Sequence, residues 1–167
     1  MYQECEQFKV KFAADAPKIS DIGECDASTT DAVYFAGGHA CYTDYLSEIV
    51  TTKINEFRAA SKIIALDCHG PVALCSAEVK NDSGAPLVSG LEVCCFTDSE
   101  ETAVGAIDKI PFSMEQKLKD LGAVFKPGSD WGSNVCVSPL PRGVLITGQN
   151  PKSSAACADA VIQTLGA

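Results

Sequence analysis

The sequence predicts an α/β fold with a mostly parallel sheet flanked by helices, and three observations lead there. Short apolar runs of strand type recur at Ala32–Ala36, Ile63–Leu66 and Val144–Thr147. Segments with helical spacing of apolar residues alternate with them, a pattern that favours parallel strands joined by crossover helices. The first two runs each break sharply, into Gly37-Gly38-His39 and into Cys68-His69-Gly70-Pro71. In open α/β sheets ligands sit beyond the carboxyl ends of the strands, where both turns fall.

Taken in order, Phe8 to Ala14 alternates apolar and charged residues and predicts a strand near a sheet edge. Asp15 to Thr30, with its Pro, Gly, Asp and Ser, predicts a connection. After the first apolar run, Asp44 to Ala60 predicts an amphipathic helix with Leu46, Ile49, Val50, Ile54 and Phe57 on one face. Past the second run, Val72, Leu74, Cys75 and Val79 sit at helical spacing. Asn81 to Gly90 predicts a loop and Leu91 to Phe96 a strand, followed by an acidic segment with Asp98, Glu100 and Glu101. Ser113 to Leu121 predicts a helix, with Ser113 and Gln116 as a capping box and Gly122 as its stop. Lys126 to Asn134 predicts a loop carrying Trp131. Val135–Val137 and Val144–Thr147 predict a strand pair turned at Pro139 to Gly143. Asn150 and Pro151 open a last helix whose apolar stripe is Ala155, Ala158, Val161, Ile162 and Leu165. No repeat or second unit is visible, so residues 1–167 are expected to form one domain.

Composition excludes several function classes. The formal net charge is −9 and no Lys/Arg cluster is present, which disfavours nucleic acid and anionic membrane as partners. The apolar runs are far too short to span a bilayer, and the start MYQECEQFKV lacks the apolar core of a secretory signal. Nine cysteines, an odd number without a CxxC pair, argue against both a disulfide framework and a zinc site. Most are expected to be small buried hydrophobes in a reducing cytoplasm.

Cys68 is the exception. A buried strand turning sharply into a helix lifts the side chain at the turn into a pocket, and a helix N-terminus behind it would favour the thiolate. His69 could take its proton, with a carboxylate fixing the imidazole tautomer. Glu101 is the candidate carboxylate, with Asp98 and Glu100 as rivals; the competing reading is a solvated acidic turn. Gly37, Gly38 and His39 could supply oxyanion-stabilising amides. Gly70 is grouped with this pocket, and Trp131 either lines it or fills the core. Asp67 points away from Leu66 and Cys68 on the strand, and either bonds a neighbour or raises the Cys68 pKa.

DAVYFAGGHA, ALDCHGPVAL, GLEVCCFTDSEET and LITGQNPKSSAACADAVI, in this order, resemble the ThiJ/PfpI superfamily, and most of all its glutathione-independent glyoxalase III branch of heat-shock chaperone type. The resemblance implies a flavodoxin-like α/β sandwich of the class I glutamine amidotransferase type. It implies Cys68 as nucleophile, His69 as its partner, Glu101 as the acid behind that histidine, and an oxyanion-facing amide at Gly38 and His39. It implies conversion of methylglyoxal to lactate without glutathione, metal or other cofactor, and a homodimer. The family's first strand-helix unit precedes the stretch matching FKVKFAA, and its glutamate, which contacts the nucleophile, has no counterpart that can be matched here. Ala40 replaces the last glycine of the family's GGHG, and Asp67 replaces an apolar residue. The alternative expectations are a stress-response chaperone, a redox sensor acting through Cys68, or a catalytically inactive paralogue.

Overall fold

The computed structural model of the chain describes Glu6, Gln7, Val10 and residues 20–166. Its strands are β1 (Ala32–Phe35), β2 (Ile63–Asp67), β3 (Glu92–Val93), β4 (Val124–Phe125), β5 (Val135–Pro139) and β6 (Val144–Gly148). Its α-helices are α1 (Cys41–Asp44), α2 (Glu48–Ala59), α3 (Asp98–Ala103), α4 (Met114–Asp120) and α5 (Ser154–Leu165). The main sheet runs β1-β2-β6-β5. β1, β2 and β6 are parallel, and β5 pairs antiparallel to β6. The mostly parallel α/β architecture and the β5–β6 pair follow the expectation. No helix among the described residues is long and apolar enough to cross a membrane.

All five residues of β2 are buried because the sheet is covered on both faces. Ile64 and Leu66 face the larger core with Ile54, Phe57, Leu74 and Leu145. Ile63 and Ala65 face a smaller cluster with Ile146 and Cys157. The two-residue period therefore sends Cys68 toward the larger core and Asp67 toward α5. Burying a side chain such as Phe57, fully inaccessible here, stabilises the fold by about 1.5–3 kcal/mol.

Several elements differ from the sequence expectation, each for a local reason. The strand expected over Phe8 to Ala14 lies outside the described residues except for Val10, which is helical. The helix expected from Asp44 is broken. Tyr45 turns back to donate to Ala36 O at 3.0 Å and packs edge-on against Phe35, so α2 starts only after Ser47. Val50, Ile54 and Phe57 are buried as expected, whereas Leu46 and Ile49 are exposed. After the elbow, Gly70–Cys75 is a buried 3-10 turn of six residues, not an α-helix. Of Leu91 to Phe96 only β3 is strand, and it pairs with β4 outside the main sheet. Cys94 N–H donates instead to the Thr147 side chain at 3.0 Å. Ser113 caps α4 through Gln116 N–H, but the Gln116 side chain bonds Asp120 and no reciprocal box forms. Ser153, just before α5, and Cys157 and Val161 within it face the sheet. Ala155, Ala158, Ile162 and Leu165 lie exposed, and the face against β6 is seated on Gly148, where a Cβ would lie 3.2 Å from Ser153 Cβ and 3.4 Å from Cys157 Cβ.

Candidate active site

Cys68 stands immediately after β2 at φ 55°, a left-handed conformation uncommon for a residue with a side chain. Such strain costs on the order of 1–3 kcal/mol and persists only when the surroundings hold it. Two backbone bonds do so: Cys68 N–H donates to Gly148 O at 2.9 Å, and Phe96 N–H donates to Cys68 O at 3.0 Å. The elbow also needs two glycines. A Cβ at Gly37 would lie 2.5 Å from Cys68 Cβ, and one at Gly70 would lie 2.3 Å from Phe35 O. Gly70 thus seats the elbow against the end of β1. It does not line the cavity above the sulfur.

From the sulfur a chain of polar contacts runs outward. Cys68 Sγ is 3.3 Å from His69 Nδ1. His69 Nε2 is 2.6 Å from Glu101 Oε1, both side chains being almost fully buried. The other carboxylate oxygen, Oε2, is 3.1 Å from Nε2 of His39, whose side chain is 52% exposed. Glu101 therefore bridges two imidazoles. A carboxylate facing His69 Nε2 selects the tautomer with its proton there and leaves the Nδ1 lone pair toward the thiol. Phe96 stacks on the His69 ring at 4.7 Å, and the His39 ring lies 4.1 Å away.

The electrostatics correct the expected thiolate. Burial, opposed by the His69 backbone N–H and reinforced by the Asp67 charge, pushes the Cys68 thiol up to about 12. The short 3-10 turn behind it supplies no long helix whose dipole could offset this. Burial also lowers the His69 pKa from its ordinary value, although the Glu101 bond acts in the opposite sense. The resting pair is a neutral thiol beside a neutral imidazole. In that state the Nδ1 lone pair of His69 lies 3.3 Å from the sulfur, within reach of its proton.

Glu100 and Glu101 are adjacent but do different work. α3 opens with a reciprocal capping box between Thr97 and Glu100. Burial would raise the Glu100 pKa, but the Thr97 and Trp131 backbone N–H groups and the Asn150 and Gln149 side chains outweigh it and hold the carboxyl below its ordinary value. Its Oε1 accepts from Trp131 N at 2.8 Å and Asn150 Nδ2 at 2.8 Å. Glu100 thereby fixes α3, and α3 aims Glu101 at His69. The spacing Thr97-x-x-Glu100 was the available sequence signal for this anchor. Asp98, the other rival, accepts the Ser113 hydroxyl at 2.7 Å.

A cavity of about 930 Å³ opens over the elbow, lined among others by Gly38, His39, Cys68, Phe96 and Trp131. Trp131 lines this cavity. It is 42% exposed and meets the Phe96 ring edge-on at 5.6 Å. Of the candidate amides, Gly37 N–H is already committed to Asp67 Oδ1 at 2.9 Å. Gly38 N–H has no hydrogen-bond partner among the described residues. Asp67 bonds neighbours, and its charge also raises the Cys68 pKa, so both readings of that residue hold. His39, His69 and Glu101 have donor atoms within 4.8 Å of one another, a set that could hold a divalent cation in place of the hydrogen bonds. All eight described cysteines are free thiols, and seven are buried.

A strained cysteine elbow at the carboxyl edge of a mostly parallel sheet defines an α/β protein of nucleophile-elbow type. Comparison with known proteins sharpens this. No family model matches the chain. The probable glutathione-independent glyoxalase hsp3104 of Schizosaccharomyces pombe is 31% identical over 169 residues, covering 93% of this chain and 68% of that protein. Glyoxalase 3 of Candida albicans is 30% identical over 157 residues, 87% of this chain and 61% of that protein. The Rapid Encystment Protein 24 kDa of Francisella tularensis superposes with a TM-score of 0.78 at 33% identity, over 87% of this chain and 63% of that one. The glyoxalase III crystal structure from Candida albicans shares the fold, with a TM-score of 0.74 at 23% identity. The chain belongs to the glutathione-independent glyoxalase family. It spans 55% of the length of hsp3101 of Schizosaccharomyces pombe and 61% of the Candida albicans protein.

Proposed function

We propose that the chain converts methylglyoxal to lactate through a hemithioacetal on Cys68. The observation that carries this reading is the unbroken contact series Cys68–His69–Glu101, with His69 neutral and its basic nitrogen toward the thiol. His69 takes the thiol proton as the sulfur adds to the aldehyde carbon. The proton then passes to the new alkoxide, giving a neutral hemithioacetal. Removal of the hydrogen on that carbon by His69 gives an enediolate. Reprotonation at the adjacent carbon and transfer of the hydroxyl proton to the alkoxide oxygen on that carbon leave a lactoyl thioester. Water cleaves it to lactate and regenerates the thiol, so the net change is addition of one water. Gly38 N–H is the amide offered to the oxyanion, and the Phe96 and Trp131 rings supply an apolar wall.

The alternative of a peroxide sensor calls for a low-pKa, accessible thiol. Cys68 is buried and its pKa is raised, which favours the enzyme. A homodimer and a cytoplasmic setting accompany this reading, and sedimentation velocity and cell fractionation test them. The deciding experiment is lactate formation from methylglyoxal by the purified chain and by Cys68→Ala. Activity in the wild type that disappears in the variant supports the reading. Equal rates, or none in either, refute it.

A further inference from the structure

We infer that Asp67 is a positioning residue that fixes the oxyanion turn over Cys68. The inference rests on the reaction proposed above and adds to it a residue outside the Cys68–His69–Glu101 series.

Asp67 is the last residue of β2 and is 5% exposed. Both of its carboxylate oxygens are committed. Oδ1 accepts the Gly37 N–H at 2.9 Å, and Oδ2 accepts the hydroxyl of Ser154, the first residue of α5. One side chain thus ties three segments: the turn after β1, the elbow strand, and the start of α5. Space for the carboxylate comes from Gly148, its register partner on β6, where a Cβ would lie 3.2 Å from Asp67 Cβ.

The consequence for chemistry lies in the order of amides. Gly37 is held against the nucleophile more closely than any side chain would permit. Its own N–H is consumed by Asp67. The next amide, Gly38, follows at φ 132°, lines the cavity and is left without a partner among the described residues. An apolar residue at position 67 would leave Gly37 N–H unpaired beside the sulfur. The turn would then be free to rotate one amide or the other toward the pocket. A carboxylate there assigns Gly37 to structure and Gly38 to the reacting oxygen.

The test compares Asp67→Ala with Asp67→Asn, which keeps an acceptor for Gly37. The readouts are lactate kinetics and amide exchange at Gly37 by NMR. In Asp67→Ala, Gly37 exchange should accelerate by at least tenfold. The kcat should fall by about 100-fold, the scale for a misplaced oxyanion donor, with KM changed far less. Asp67→Asn should keep both within about fivefold of wild type, because the acceptor geometry is retained. Wild-type exchange at Gly37 in Asp67→Ala, or an equal loss of kcat in both variants, overturns the inference. Should Asp67→Ala fail to fold, Ser154→Ala removes the other tether. Faster Gly37 exchange with lowered kcat then supports the inference, and no change in either overturns it. If the wild type forms no lactate, the proposed reaction falls, while the exchange data still decide whether Asp67 holds the turn.

Discussion

Replacing Gly37 by alanine is the sharpest test of the elbow, because the perturbation can be sized from the geometry. The new Cβ would lie 2.5 Å from Cys68 Cβ and 2.8 Å from Asp67 O. Ordinary van der Waals contact starts at 3.4 Å, so the turn would have to move by about 0.9 Å. Nothing flexible can absorb this, since one neighbour is backbone and the other is the base of a side chain held at φ 55°. Moving the turn lengthens the 2.9 Å bond from Gly37 to Asp67 beyond hydrogen-bond range and shifts Gly38 with it. Overpacking of this kind costs about 1–3 kcal/mol in stability. A displacement near 1 Å at a reacting centre costs on the order of 100-fold in rate. Lactate kinetics and a thermal melt measure both, and the expected result is a kcat reduced about 100-fold with a Tm several degrees lower. Wild-type kcat in a stably folded Gly37→Ala protein would refute the claim that the turn is seated on the nucleophile.

Four further outcomes are expected. Glu101→Gln should lower kcat by roughly 10³–10⁴-fold, since an amide can donate to His69 Nε2 and turn its Nδ1 into a donor facing the thiol; a loss below tenfold contradicts the tautomer argument. The pH–rate profile should be level through neutrality and fall on an acid limb with a midpoint below 6.5, because burial keeps His69 neutral. The same depressed pKa means that its stability contribution is present above 6.5 and is lost as pH falls through the folded value, measurable by urea melts across pH. A rate that instead climbs toward pH 12 would identify the thiolate, not the His69-assisted thiol, as the reacting form. EDTA should leave lactate formation unchanged, since the triad uses hydrogen bonds between His69 and Glu101; loss of activity that zinc restores would mean that His39, His69 and Glu101 hold a working ion.

The parts of the fold that were legible in the sequence are those fixed by local pattern. Ile63–Leu66 forms a strand because a continuous apolar run flanked by turns has no other way to bury both faces. Its abrupt end in Cys68-His69-Gly70-Pro71 is a local signal too, and it located the candidate nucleophile. The α5 stripe was misjudged because periodicity reports an apolar face without saying which face meets the sheet. The close seat at Gly148, with Ser153 and Cys157 packed where its side chain would be, decided that. The break before α2 depended on Tyr45 reaching Ala36, a contact nine residues away in sequence that no helical pattern encodes.

By itself the sequence determined the α/β class, the elbow, and the residue types that chemistry at Cys68 would need. Among Asp98, Glu100 and Glu101 the local pattern made no choice beyond what the resemblance implied, and tertiary structure places Glu101 against His69. Consecutive residues on a helix point about 100° apart, and only the anchoring of Glu100 to Trp131 and Asn150 turns Glu101 inward. It also decided the charge state of the sulfur. A helix N-terminus is a local feature and suggested a thiolate, but desolvation is a sum over every segment packed around the atom. That sum holds Cys68 as a thiol with a neutral His69 beside it.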